Sequence, residues 1–251
     1  MSITDQLPRP AAEPSDGSFA EGRVERTLVG AGRPTGRGLA GSASVRGLRR
    51  VAADATAVCG SAAAVADGIG DSAGAARAAR IAADVAAGAA GRIGPRAAVL
   101  VARDAVLGSP DAADTVLVVT AEEPDGDRAV AWVGDCRAYL VTARGVALLS
   151  HDHTAAQAFR DAGLDPAPQW EHLVTTTVAH AEAESIGHAR VPGAGTLVLV
   201  SDGVHRSVEP ETLAFLVRRG PTPAAAARAL VEAALTAGGT DNATATVLPP
   251  P

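Results

Sequence analysis

Apolar and polar positions alternate in short blocks along most of the chain. TLVLV (196–200) is a nearly continuous apolar run that stops at Ser201-Asp202-Gly203, which predicts a buried strand with a turn behind it. VAADATAVCG (51–60) and SAAAVADGIG (61–70) predict two short strands joined near Gly60. In DSAGAARAARIAADVAAGAAG, Asp71 or Ser72 can cap a helix start and Gly91 can end it, which predicts a helix over 73–90. A second helix is expected over 96–107, after Pro95 and before Gly108-Ser109-Pro110.

DTVLVVTAE, RAVAWVGD, CRAYLVTARG and VALLS then predict a meander of strands, with PDGD and ARG as turns. A short helix is expected over 154–162. Residues 163–195 carry no clear pattern, and VTTTVAH (174–180) is their best strand candidate. Ser207 is expected to cap a helix over 209–219. Thr222-Pro223 opens a last helix that Gly238-Gly239 closes, and ATATVL (243–248) reads as an alternating strand. Hairpin connections between strands argue for antiparallel pairing and, with helices in pairs, give the fold class α+β, two antiparallel β-sheets with helices outside. Residues 1–35, rich in Pro, Gly, Ser and charge, read as a flexible tail, with VERTLV (24–29) as an isolated edge strand; 36–249 reads as one domain.

Composition narrows the picture. Aromatics are 2% of the 251 residues, so the core must be built from Val, Leu, Ile and Ala. The net charge is −6 and no basic run stands out, which argues against a nucleic-acid partner. The two cysteines, Cys59 and Cys136, form no CxxC pair, so a reducing cytoplasm is the simplest location. There is no apolar leader at the N-terminus and no long uninterrupted apolar run, so neither export nor a membrane partner is expected.

The chemistry lies in carboxylates at strand ends. Asp67 ends AAAVADG, Asp202 ends TLVLVSDG, Asp241 stands just before ATATVL, and Asp54 precedes the strand that leads to Asp67. Brought to one sheet edge, these groups would repel one another and some pKa values would rise. A divalent cation removes that cost, and oxygen-only ligands suit Mg²⁺ or Mn²⁺ rather than Zn²⁺. A glycine after Asp67 and after Asp202 lets backbone approach. Each Asp-Gly alone is an ordinary turn.

The order VADGIG, AWVGDCRAYL, LLSHDHT, LVLVSDG, GGTDNATATV resembles the metal-dependent serine/threonine protein phosphatases, the PPM or phosphatase 2C family, over about Ser42 to Leu248. The resemblance implies that the two antiparallel β-sheets are packed as a sandwich flanked by helices, α-β-β-α, with two Mn²⁺ or Mg²⁺ ions at one end. It implies Asp67 as the bridging ligand with the Gly68 carbonyl beside it, Asp202 and Asp241 as further metal ligands, and Asp54 as an acidic neighbour of the site. It implies Arg49 as the grip on the substrate phosphate, and a mostly structural Asp135 in GDCR. The implied reaction is attack of metal-activated water on phosphoserine or phosphothreonine, with no protein nucleophile. The partners would be a phosphorylated protein and the serine/threonine kinase opposing the reaction.

Departures from the pattern are specific. Ala52 and Ala53 replace an Asn-Glu pair, Asp71 replaces a glycine, Ile69 stands where some members have a histidine, and no extra aspartate for a third metal precedes the SDG strand. They motivate the alternative, a catalytically weak pseudophosphatase that binds phosphoproteins; small phosphoesters are a further substrate class. His151 and His153 of HDH read as structural, His205 as a surface residue and Cys136 as a small buried one.

Overall fold

The structure, a computed structural model, describes residues 26–27 and 40–251. The tail expected over 1–35 lies outside the described residues except for Arg26–Thr27. Those two residues form β1 and pair antiparallel with β2 (Gly41–Val45) at a sheet edge, where VERTLV was expected as an edge strand.

β3 (Asp54–Cys59) and β4 (Ala62–Gly68) form the first hairpin, turning at Gly60 with φ 61°. α1 (Ala73–Ile93) and α2 (Pro95–Leu107) follow. Ser72 caps α1 by accepting the Ala75 N–H at 3.1 Å. The expected stop at Gly91 is not used. The helix runs through Gly88 and Gly91 and ends at Gly94, which has φ 81°. Glycine weakens a helix interior without forbidding it, and nine buried alanines on the opposite face hold this one.

β5 (Thr115–Glu122) and β6 (Arg128–Val133) continue the first sheet. The expected meander then divides. At Gly134, φ 89°, the chain leaves that sheet, and β7 (Arg137–Val141) and β8 (Val146–Leu148) belong to the second. α3 (Ala155–Asp161) is capped by Thr154. VTTTVAH is not a strand. It contributes one bridge, Val174 to Thr154, because Asp114 takes the Thr177 hydroxyl (2.6 Å) and the Ala179 N–H (3.0 Å) instead. The strand of this region is β9 (Gly187–Val191).

β10 (Thr196–Val200), the short helix α4 (Asp202–His205), α5 (Pro210–Arg219), α6 (Pro223–Thr236) and β11 (Ala243–Leu248) complete the chain. Ser207 does not cap α5; Glu209 holds that position, with Pro210 at the first helical residue. Thr222 does cap α6, accepting the Ala225 N–H at 3.1 Å.

One sheet has the order β1-β2-β11-β10-β7-β8 and the other β3-β4-β5-β6-β9, with every pairing antiparallel. The two-residue side-chain period sorts each strand between two cores. On β4, Ala62, Ala64 and Ala66 pack under α1 and α2, while Ala63 and Val65 face the opposite sheet. On β10, Val198 and Val200 pack with α5 and α6, while Leu197 and Leu199 meet Ala63 and Val65 between the sheets. The result is four layers, α-β-β-α, as the family resemblance implies. The alanines let α1 sit close on its sheet. No described helix is long and apolar enough to cross a membrane.

Candidate active site

The period that sorts the core also aims the carboxylates. Asp67 has the parity of Ala63 and Val65, so it belongs to the inter-sheet face, and its cross-strand partner is Asp54. Ser201, which follows β10, donates its hydroxyl to Asp54 Oδ2 at 2.7 Å across the sandwich. That hydroxyl is held in turn by the Thr244 N–H at 3.0 Å. Asp202 is the first residue of α4. Gly203 follows it because backbone closes in there: a Cβ would lie 2.0 Å from the Asn242 carbonyl oxygen. Gly68 is equally enclosed, with the Ala75 carbonyl oxygen 2.4 Å from where a Cβ would be. Asp241, just ahead of β11, completes the set at the mouth.

A cleft of about 170 Å³ opens here, lined by Arg49, Asp67, Gly68, Asp135, Asp202 and Asp241 among others. Burial pushes the Asp67 carboxyl well above the ordinary range, and Asp54, Asp202 and Asp135 add like charge. Asp54 is raised chiefly by burial as well, against the opposing hydrogen bond from Ser201. Asp135 is pushed up to about 6, by burial first and by Asp202 second.

Two arginines answer this charge. Arg49 Nη2 meets Asp241 Oδ2 at 2.5 Å at the exposed mouth. Arg206, which the sequence pattern did not single out, sits deeper. Its Nη2 meets Asp135 Oδ2 at 2.9 Å and its Nε meets Asp202 Oδ2 at 3.2 Å. It also donates to the Glu171 carbonyl at 2.9 Å and contacts the His172 ring. Arg206 therefore ties the floor of the site to the 171–174 stretch that walls it. The only sequence signal was its position, one helical turn beyond Asp202.

Other expectations resolve plainly. Asp135, expected as mostly structural but near the site, lines the cleft. Asp152 pairs with Arg137 at 2.7 Å, and the His153 Nδ1 faces the Gly134 N–H at 3.4 Å, so HDH has the expected structural role. His205 is not a surface residue. Its Nε2 meets the Asp135 carbonyl oxygen at 2.9 Å, and burial holds its pKa well below the usual value. Cys136 is buried, and burial pushes its thiol up. Ile69 is 45% exposed on the rim. Asp71 lines the cleft and bonds the loop that bears Arg49.

The donor set suits a hard divalent cation. It consists of carboxylate oxygens with backbone carbonyls close by, and two buried carboxylate oxygens, Asp54 Oδ1 and Asp202 Oδ1, have no hydrogen-bond partner. Among the described residues the side chains do not form a ready-made cage of three or more acidic, His or Cys ligands. Instead Asp241 and Asp202 turn to Arg49 and Arg206.

No protein-family model matches the chain, and neither does any curated protein. Solved structures do. The Mycobacterium tuberculosis serine/threonine phosphatase PstP/Ppp superposes with a TM-score of 0.70 at 26% identity, over 83% of this chain and 96% of that one. The catalytic domain of PstP in complex with two manganese ions gives 0.68 at 26% identity, over 83% and 96%. The PPM Ser-Thr phosphatase MsPP from Mycobacterium smegmatis, in complex with cacodylate, gives 0.70 at 28% identity, over 84% and 97%.

Proposed function

We propose that this chain, similar in motif order and in fold to the PPM-type serine/threonine phosphatases, hydrolyses phosphoserine and phosphothreonine in proteins with two Mn²⁺ or Mg²⁺ ions. The observation that carries the reading is the cluster of Asp54, Asp67 and Asp202, with two orphaned buried oxygens, beside Arg49 and Asp241. A buried cluster of this charge is costly unless cations complete it.

Asp67, Asp202, Asp241 and the Gly68 carbonyl would hold the ions. When bound, the ions supply Lewis acidity that lowers the pKa of water and neutralises charge on the phosphoryl group. The chain's own residues do the rest. Ser201 fixes Asp54, so the carboxylate next to Asp67 does not wander. Arg49, its side chain 46% exposed at the mouth, can exchange Asp241 for two phosphoryl oxygens, a geometry its planar fork matches. The open mouth gives a phosphorylated side chain a route in, while Arg206 keeps the 171–174 wall in place. Neither cysteine sits in a phosphate-binding loop, and the raised pKa of Cys136 makes it a poor nucleophile.

The test is release of inorganic phosphate from a phosphothreonine peptide and from a panel of small phosphoesters. The peptide is expected to be the better substrate, and Asp202→Asn is expected to lose activity while keeping its fold. Full activity in Asp202→Asn would sink the site assignment. A panel in which only small phosphoesters are cleaved would move the substrate class.

A further inference from the structure

Arg49 is carried by residues between β2 and β3 that form neither helix nor strand. Such a segment has no ladder to hold it, so its backbone groups need other partners. Arg46 Nη1 donates to the carbonyls of Arg49 (3.0 Å) and Arg50 (2.9 Å), and Asn242 Nδ2 donates to the Val51 carbonyl (3.0 Å). The two N–H groups that follow Arg49 go to one carboxylate from another loop. Arg50 N–H donates to Asp71 Oδ2 at 3.1 Å, and Val51 N–H donates to Asp71 Oδ1 at 2.8 Å. Arg50 Nε adds a bond to Asp71 Oδ2 at 3.1 Å, which matches the carboxylate's charge. Asp71 lies in the turn after β4, the strand that delivers Asp67. One side chain thus fastens the Arg49 loop to the carboxylate floor.

We propose that Asp71 is a positioning residue for phosphate binding, acting through Arg49. The inference rests on the reading above in that Arg49 meets a phosphoryl group. A long, half-exposed guanidinium loses much freedom when it binds, and a backbone fixed immediately after it reduces that loss. Without the Asp71 carboxylate both N–H groups turn to water and the loop can pivot, so Arg49 no longer arrives at the cluster pre-aimed. Asp71 itself need not touch the ligand. A merely structural Asp71 would change stability and nothing specific to Arg49.

The test is a double-mutant cycle on wild type, Asp71→Ala, Arg49→Ala and the double variant. Three quantities are read: the affinity for inorganic phosphate by calorimetry in the presence of Mn²⁺, kcat and KM on a phosphothreonine peptide, and thermal unfolding. Asp71→Ala is expected to weaken phosphate binding about tenfold and to raise KM more than it lowers kcat. Arg49→Ala is expected to weaken it further, with the double variant no worse than Arg49→Ala. Asp71→Asn keeps one acceptor oxygen and should recover part of the loss; it carries the test if the alanine variant does not fold. Unchanged phosphate affinity in Asp71→Ala overturns the proposal. So do losses that multiply in the double variant, or a wild type that binds no phosphate. A wild type that shows the expected cycle but hydrolyses nothing rejects the phosphatase reading alone. Hydrolysis by the wild type with an indifferent Asp71→Ala rejects this inference alone.

Discussion

Gly203 follows Asp202 because the Asn242 carbonyl leaves no room for a side chain, a Cβ falling 2.0 Å from that oxygen. Gly203→Ala should therefore destabilise the protein by about 1–3 kcal/mol, read by urea unfolding; no change would mean that the backbone approach is dispensable. Arg206 makes a complementary prediction. Its side chain is 24% exposed and its partners Asp135 and Asp202 are 6% and 16% exposed, so its removal leaves two largely desolvated carboxylates without their cation. Arg206→Ala should cost about 1–3 kcal/mol with chelator present and less with Mn²⁺, which can take over the charge. An equal loss in both conditions would contradict that reading. Asp54, Asp67, Asp202 and Asp241 were legible because each sits at the end or start of a readable strand. Arg206 was not, because an arginine four residues after an aspartate reads as an ordinary helix-surface pair. Only the fold brings Asp135 and Glu171 to it from distant parts of the chain.

Among the elements, the long apolar or small-residue blocks were readable and the mixed ones were not. β4, β5 and β10 are buried through most of their length, so their runs carry a strong signal. β9 reads GHARV and is mostly half-buried or exposed at the end of its sheet, so its charged and small residues suit an edge but hide a strand. The stretch before it takes its shape from Asp114, a tertiary partner no local pattern reveals. In α1 the glycines misled the boundary, and they also offer a test. A Cβ at Gly88 or Gly91 would meet nothing within 4 Å. Gly91→Ala should therefore stabilise the protein by about 0.5–1 kcal/mol through helix propensity, seen as a higher Tm. A lower Tm would show that the glycine is needed for more than it displays.

For the molecule as a whole, the sandwich places a rigid apolar body under a cluster of negative charge. Without metal, burial raises the Asp54 and Asp67 carboxyls and lifts Asp135 to about 6 from 3.8. Groups raised on folding bind more protons in the native state, so stability is greatest below the unfolded carboxylate range and falls as pH rises through the folded values. Tm in chelator should accordingly decline between about pH 4 and pH 7. Saturating Mn²⁺ should offset the decline, since it binds the folded state. A Tm in chelator that rises over that window would contradict the electrostatic account. The measurement that bears most directly on function is the initial rate of phosphothreonine-peptide hydrolysis with Mn²⁺, with Mg²⁺ and with chelator, beside folded Asp241→Ala. The account predicts turnover that depends on the metal and is lost in the variant. No turnover with either metal from a folded wild type, or turnover that survives both chelator and Asp241→Ala, would contradict it.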